Sequence, residues 1–169
     1  MTRGDISVIG VSGGAQPFRV AASATRGYAG EPMIVVPTYS SGVSDVNTIV
    51  VLTDAKPVIG TDYFVGVSAE NMKVNSSGTV VAHELSVTVP IPHCTRMRGK
   101  AKTTGNIDTD TELLGVMWDL VLFDLTSGAY TIDETAAADT SGLTVRGGIP
   151  AKGVLDVVVD ARAMRADIS

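Results

Sequence analysis

The stretch Thr111–Leu125, TELLGVMWDLVLFDL, carries the only tryptophan of the chain and its densest run of large apolar side chains. From Leu113 onwards the apolar residues fall on both odd and even positions. This pattern is typical of a strand, or of two short strands, covered on both faces. Asp119 interrupts the run, and a carboxylate buried without partners is costly. We therefore predict that this stretch forms the core, with a bulge or tight bend near Trp118 that turns Asp119 outwards.

Length and composition favour one all-β domain. The 169 residues are enough for one well-formed core but few for two typical domains. The 18 glycines and 7 prolines, together with abundant Val, Thr and Ser, are typical of many short strands joined by turns. We predict an all-β fold, either a β-barrel or a β-sandwich, of about eight to ten short strands.

Three segments show clear strand or hairpin patterns. In Leu85–Ile91 the odd positions are apolar and the even positions are Ser, Thr and Pro, which predicts a half-buried strand. Val154–Ala163 alternates in the same way, with Asp156 on the predicted outward face. Phe123–Asp133 is expected to form a hairpin in which Gly128 supplies the left-handed residue of a short loop.

Residues 1–29 are predicted to form an extended N-terminal arm, and residues 30–169 the β-barrel or β-sandwich domain. The arm is rich in Gly, Ala, Ser and Thr, and it includes a possible short strand at Ile6–Val11. Such a segment buries too little apolar area to offset the entropy lost on ordering. We expect it to be ordered only against the body of the protein or against a neighbour.

Charge and hydropathy narrow the classes of partner. The net charge of -5 argues against direct nucleic-acid binding, which needs a strong basic footprint. The longest apolar runs fall short of the roughly 18 residues of a membrane helix, and the N-terminus has no apolar signal region. We predict no membrane insertion and no export. The mean hydropathy of +0.25 is compatible with a well-filled core or with apolar surface buried against another subunit.

No catalytic constellation is found in the sequence. His93 and Cys94 are adjacent, and neighbouring strand residues point to opposite faces, so they cannot form a nucleophilic pair. With His83 they supply too few ligands for a zinc site. A single cysteine also excludes an internal disulfide framework, which suggests folding in a reducing cytoplasm, and we expect it to be a small buried residue. The sequence therefore predicts no enzyme, no metal and no cofactor.

A strip of cations is the most informative polar feature. The alternation of an extended backbone places four cations on one face, namely Arg96, Arg98, Lys100 and Lys102. Three carboxylates follow with the same alternation. A hairpin closed around Gly105 would pair Lys102 with Asp108, Lys100 with Asp110 and Arg98 with Glu112. We expect this ladder to engage most of the cations, and we name all four as candidates for contact with an acidic partner.

Several stretches carry a resemblance to a known family. They are Gly30–Val36 (GEPMIVV), Phe64–Ala69 (FVGVSA), Asp108–Gly115 (DTDTELLG), Phe123–Asp133 (FDLTSGAYTID) and Lys152–Asp160 (KGVLDVVVD). From about Gly30 onwards the chain resembles the decoration, or cement, proteins that tailed bacteriophages add to the outside of their capsids.

The resemblance implies a β-barrel or β-sandwich without enzymatic activity. It implies a partner, the major capsid protein, bound at the joints between capsid subunits on the outer surface of the virion. It also implies a homo-oligomer, a trimer or dimer, that stabilises the shell and is assembled in the host cytoplasm.

Two other functions remain open. The chain could be a carbohydrate-binding or receptor-binding β-barrel module of a phage particle, although an aromatic content of 5% is low for sugar stacking. A small hydrolase of unfamiliar type would need a constellation that the sequence lacks. An exposed aromatic cluster would favour glycan binding, whereas an oligomer interface and an ordered arm would favour capsid decoration.

Overall fold

The computed structural model describes residues 6–20, 22, 27–35, 48–51, 63–135 and 142–164, and it confirms the all-β prediction. The strands are β1 (Ser7–Ile9), β2 (Ala15–Val20), β3 (Pro32–Val35), β4 (Thr48–Val51), β5 (Tyr63–Ser68), β6 (His83–Thr88), β7 (Arg96–Lys100), β8 (Leu120–Thr126), β9 (Ala129–Asp133), β10 (Leu143–Ile149) and β11 (Val154–Val159). The α-helix within these ranges is α1 (Asp110–Val116), and short 3₁₀ helices cover Thr104–Asn106, Pro150–Lys152 and Ala161–Met164.

The main sheet has six strands in the order β1-β7-β11-β10-β8-β9, all antiparallel to their neighbours. The sheet curls strongly, as twisted sheets do. Its far strand, β9, returns towards the end of β7, where Ala101 forms a bridge with Ile132 and the Lys102 N–H donates to the Ile132 carbonyl at 2.8 Å. One face of β7 therefore lines the core inside the curved sheet, and the other is on its outer surface.

The second layer contains β2, β4, β3, β5 and β6, paired in that order and with β6 again beside β2. Strands β2 and β6 pair over six residues, from Ala15–Thr88 to Val20–His83. The pairing of β2 with β4 is parallel and covers only two residue pairs. The long β2–β6 pairing is thus the main support of this layer.

A common core joins the two layers into a sandwich-like fold. Phe64 of β5 packs against Phe123 of β8 with ring centroids 5.9 Å apart. Ile34 and Val67 of the second layer lie in the same buried cluster as the inward side chains of the main sheet. A smaller cluster, which includes Leu85 of β6, fills the second layer itself. Leu85 and Val87 are buried as predicted, but β6 ends at Thr88, and Ile91, which was predicted to face inward, is exposed.

The described part of the predicted arm is extended and ordered against the body of the protein. Strand β1 pairs with β7, where Ser7 lies opposite Arg98, and the Ile6 N–H donates to the Gly30 carbonyl at 3.2 Å. Strand β2 belongs to the second layer. Residues 1–5, 21 and 23–26 of this prediction lie outside the described residues. The division into an arm and a domain stays a prediction.

The central stretch corrects our prediction in its first half. Thr109 accepts a hydrogen bond from the Glu112 N–H, and the Glu112 carboxylate accepts one from the Thr109 N–H, which together form a capping box that starts α1. Trp118 then adopts a φ of 76° and is 64% exposed, so it is not a core residue. The predicted bend is present, and Asp119 is exposed as expected. Strand β8 follows and is buried on both faces around Leu122.

Two further predictions have different outcomes. Strands β8 and β9 form the expected hairpin, with Ser127 and Gly128 both at positive φ in its turn. In β11, however, Asp156 is only 3% exposed, so the face predicted to be outward is covered there. None of the helices in the described residues has the length and hydropathy needed to cross a membrane.

Candidate functional site

Three of the four candidate cations lie on the outer face of the main sheet. Strand β7 alternates between a buried and a more exposed face. Met97 and Gly99 are buried, whereas Arg96 and Lys100 are exposed and Arg98 is half-buried. This alternation confirms the shared face that the sequence predicts for Arg96, Arg98 and Lys100. Strand β7 ends at Lys100, and Lys102 lies beyond it at the bridge to β9.

The predicted hairpin around Gly105 is wrong. The 3₁₀ helix Thr104–Asn106 follows β7, and the carboxylates predicted to form the opposite strand lie at the start of α1 instead. Helix formation is favoured there because Asp110 and Glu112 occupy the first turn, where negative charge complements the helix dipole. Hydrogen bonds from Thr109, and then from Asp108, lower the pKa of Glu112. Two of the four cations, Arg98 and Lys102, pair with other carboxylates instead.

Arg98 is paired with Asp156, which lies opposite it on β11. The Arg98 Nε and Nη2 atoms donate to the two carboxylate oxygens of Asp156 at 2.6 and 2.8 Å. This two-point geometry is the strong form of an ion pair, and the hydrogen bond to Asp156 raises the pKa of Arg98. The pair explains how a carboxylate is tolerated under the outer face of β11.

Lys102 is bound by two carboxylates of the β8–β9 hairpin. Its Nζ lies 2.7 Å from Asp124 Oδ2 and 2.7 Å from Asp133 Oδ2. Hydrogen bonds to Asp124 and then to Asp133 raise the pKa of Lys102. Burial acts to raise the pKa of Asp133, but hydrogen bonds from Lys102 and Thr135 outweigh it and hold that pKa below its usual range. Lys102 therefore links the end of β7 to the hairpin.

Arg96 and Lys100 form no ion pair with any of the described residues. The Arg96 guanidinium extends over β10, because a Cβ built on Gly147 would lie 3.7 Å from Arg96 Nη1. Gly147 follows a bulge at which the register of β10 against β11 shifts between Val145 and Gly147.

Arg146 and Trp118 form a cation–π contact next to this bulge. The Arg146 Cζ lies 3.7 Å from the centroid of the Trp118 ring. The backbone N–H of Trp118 donates to the Val145 carbonyl at 3.0 Å, and the backbone N–H of Val145 donates to the Asp119 carbonyl at the same distance. These two backbone hydrogen bonds hold the bend beside β10, and most of the indole surface faces solvent.

Helix α1 places a second apolar side chain nearby. Leu113 packs against the core, and its Cδ1 would lie 3.1 Å from a Cβ built on Gly148 of β10. Leu114, the next residue, points away and is 72% exposed. The sequence interpretation missed both Leu114 and Trp118 as surface residues, because it assigned their whole stretch to the core. The Thr109-x-x-Glu112 capping signal could have identified the helix.

An open cleft of about 290 Å³ lies at the other end of β7. It is lined by Lys100, Thr104, Gly105, Asp108, Pro150, Ala151, Lys152 and Gly153. Lys100 therefore lies on the rim between this cleft and the outer face of the sheet. The ionisable side chains of the lining are two lysines and one aspartate, namely Lys100, Lys152 and Asp108.

The residues considered for catalysis or metal binding do not form a site. The Nδ1 of His83 lies 2.7 Å from the Val81 carbonyl, and the Lys73 N–H donates to His83 Nε2 at 3.2 Å. Cys94 is exposed, which corrects the prediction that it is buried. Within the described ranges no group of three or more His, Cys, Asp or Glu side chains is arranged to hold a metal ion.

The chain was compared with known proteins at three levels. No protein-family model, no curated protein and no solved structure matches the chain.

Proposed function

We propose that this chain is a structural virion protein that binds the outer surface of a phage capsid at the joints between major capsid proteins and stabilises the shell. The proposal starts from the resemblance of residues 30–169 to capsid decoration proteins. The observation that carries it furthest is Trp118, a large aromatic side chain that is exposed and stacks with Arg146. Trp and Arg are among the residue types enriched at the energetic centres of protein interfaces.

The body of the protein suits such a role. A capsid-binding module needs a surface that keeps its shape under load, and the outer face of the main sheet is braced by the Arg98–Asp156 pair and by the links of Lys102 to β8 and β9. Assembly as a trimer or dimer over a capsid joint is part of the proposal.

A second candidate function is recognition of a carbohydrate or receptor, and the same tryptophan is the observation that favours it. An exposed indole can stack on a sugar ring. Arg146 already occupies one face of the Trp118 ring, which leaves at most the other face for a ligand. Trp118 is also the single aromatic residue among the large exposed hydrophobic side chains of the described residues, whereas a glycan site would favour a cluster.

Co-sedimentation tests the proposed function. Shells are assembled from the major capsid protein encoded in the same genome and mixed with the purified chain. Light scattering gives the mass of the chain before mixing. Sedimentation with the shells at a fixed stoichiometry, together with a higher disruption temperature of the shells, is the expected result. A chain that stays in the supernatant at low salt, and that binds immobilised glycans instead, would overturn the capsid proposal in favour of the second candidate.

A further inference from the structure

A short hairpin, residues 73–81, covers the smaller core cluster of the second layer. Within it Val74 forms an antiparallel bridge with Val80, and the Asn75 side chain closes the turn by accepting two backbone N–H groups. Met72, just before the hairpin, and Val80 are 4% and 1% exposed, and both belong to the cluster. The hairpin therefore keeps water from the apolar side chains beneath it.

The ring of His83 is inserted at the base of this hairpin. The Val81 N–H donates to the Lys73 carbonyl at 3.1 Å, and two residues paired in this way normally exchange a second hydrogen bond. Here the Lys73 N–H donates to His83 Nε2 at 3.2 Å instead, and the Val81 carbonyl lies 2.7 Å from His83 Nδ1. The imidazole thus stands between the donor and the acceptor that a regular pair would join directly.

Only one protonation state of His83 satisfies both contacts. The Lys73 N–H can only donate, so Nε2 must be an unprotonated acceptor, and the Val81 carbonyl can only accept, so Nδ1 must carry the hydrogen. A proton added to Nε2 leaves the Lys73 N–H without its acceptor and sets two N–H groups against each other. The charged ring still donates to Val81, but Val81 is two residues from His83 on the same arm. That bond cannot hold the arm that contains Lys73.

The described charged side chains on the elements around the ring carry both signs. Glu84 follows His83 in β6, and Arg19 lies opposite Glu84 on β2. The Glu70 carboxylate accepts from a backbone N–H of β6 at 2.9 Å, and Lys73 itself is cationic. Two carboxylates and two cations favour neither form of the ring by their net charge, so its hydrogen bonds select the neutral one.

We propose that hairpin 73–81 is an acid-sensitive lid over the smaller core cluster, and that protonation of His83 releases the arm that contains Lys73. A histidine ring in water takes up a proton near pH 6.5. The closed lid needs the neutral ring, whereas the open chain accepts the proton freely, so the lid is closed above about pH 7 and loosens as the pH falls towards 5. Its opening exposes Met72 and Val80. The lid lies in the second layer, and its behaviour does not depend on capsid binding.

The ring nitrogens of His83 give the first test. In the ¹⁵N-labelled chain, long-range ¹H–¹⁵N spectra distinguish the two neutral tautomers from the imidazolium ion. The chain has two histidines, and His93→Asn assigns their signals, because asparagine tolerates the φ of 60° at that position. We expect the Nδ1–H tautomer of His83 at pH 8 and the imidazolium at pH 5. The Nε2–H tautomer at pH 8, or a neutral ring at pH 5, would overturn the proposal.

Hydrogen exchange of the Lys73 amide gives the second test. The protection of this amide, corrected for the intrinsic exchange rate at each pH, is expected to fall about fivefold between pH 7.5 and pH 5, as the loss of one hydrogen bond implies. His93→Asn is the matched control and should behave as the wild type does. His83→Gln keeps an acceptor and a donor on a side chain that does not titrate, so its Lys73 protection should change by less than about twofold.

The remaining outcomes also decide. Unchanged Lys73 protection while the His83 ring is charged would show that the hairpin does not respond to it. An equal loss of protection in His83→Gln would assign the effect to another titrating group, and an equal loss throughout β6 would show destabilisation of the whole layer rather than a lid; each would overturn the proposal. If His83→Gln does not fold, the tautomer and the Lys73 protection of the wild type still give the answer.

Discussion

Arg98 on β7 and Asp156 on β11 form a two-point ion pair beneath the outer face of the main sheet, and Asp156 is almost completely buried. The Arg98 side chain keeps 35% of its surface exposed, so the pair joins a buried carboxylate to a cation at the solvent boundary. The carboxylate is the member that cannot be left alone, because a buried charge without a partner is much more costly than the loss of the pair as a whole.

This asymmetry gives the first prediction. Arg98→Met should destabilise the fold more than the double variant Arg98→Met/Asp156→Leu, because the double variant removes the buried charge together with its partner. The measurement is the free energy of unfolding by urea for the wild type, both single variants and the double variant. Equal destabilisation by Arg98→Met and by the double variant would show that Asp156 finds another partner or water.

The second prediction concerns acid stability. The lowered pKa of Asp133 means that the unfolded chain binds a proton more readily than the folded one, so its contribution to stability is present above the usual aspartate pKa of about 4 and is lost as pH falls through the lowered value. In Lys102→Met the hydrogen bond from Lys102 is absent and burial, which raises the pKa, remains. We expect this variant to be less stable at neutral pH and to lose less stability than the wild type between about pH 5 and pH 2. Lys73→Met is the control, and parallel pH profiles for Lys102→Met and the wild type would contradict the prediction.

The third prediction tests the start of α1. Thr109→Ala removes the side-chain oxygen that accepts from the Glu112 N–H, and the loss of such a cap costs about 1 kcal/mol. Thr111→Ala, in the first turn of the same helix, removes no capping bond and should change stability by less than about 0.5 kcal/mol. Chemical denaturation measures both. A smaller loss for Thr109→Ala than for Thr111→Ala would argue against the capping box.

The fourth prediction compares two glycines. Gly66 lies in β5 with a φ of +147°, and a Cβ there would meet the Thr88 carbonyl oxygen at 2.2 Å. Gly66→Ala must therefore move the backbone of β6, and we expect a loss of roughly 3 kcal/mol. A Cβ at Gly115 in α1 would meet no atom within 4 Å, so Gly115→Ala should stabilise the protein by about 0.5–1 kcal/mol through its helix propensity. Thermal unfolding of both variants decides, and a tolerated Gly66→Ala would show that β5 and β6 can separate at this point.

Local sequence patterns predicted several strands, because apolar and polar residues alternate along a strand that has one buried face. Leu85 in β6 and the hairpin turn at Gly128 are both in their predicted places. The same alternation misled at Asp108-x-Asp110-x-Glu112, because one helical turn with a capping threonine also spaces carboxylates in this way.

The partners of the candidate cations could not be predicted from spacing. Arg98 meets Asp156 across 58 positions of sequence, and Lys102 meets Asp133 across 31, so both depend on the order of the strands in the sheet. The exposure of Trp118 could not be predicted from the sequence either. Its apolar neighbours indicated a core, and only the bend at its positive φ turns the indole outwards.

The pairing of β1 with β7 and of β2 with β6 has a consequence for the order of events during synthesis. Ser7 needs Arg98 as its neighbour, and Ala15 needs Thr88. Residues 7–20 are therefore synthesised before either of their partner strands, and neither pairing can form until those strands have also left the ribosome. Both layers therefore include a strand from the first twenty residues that pairs with a strand made more than sixty residues later.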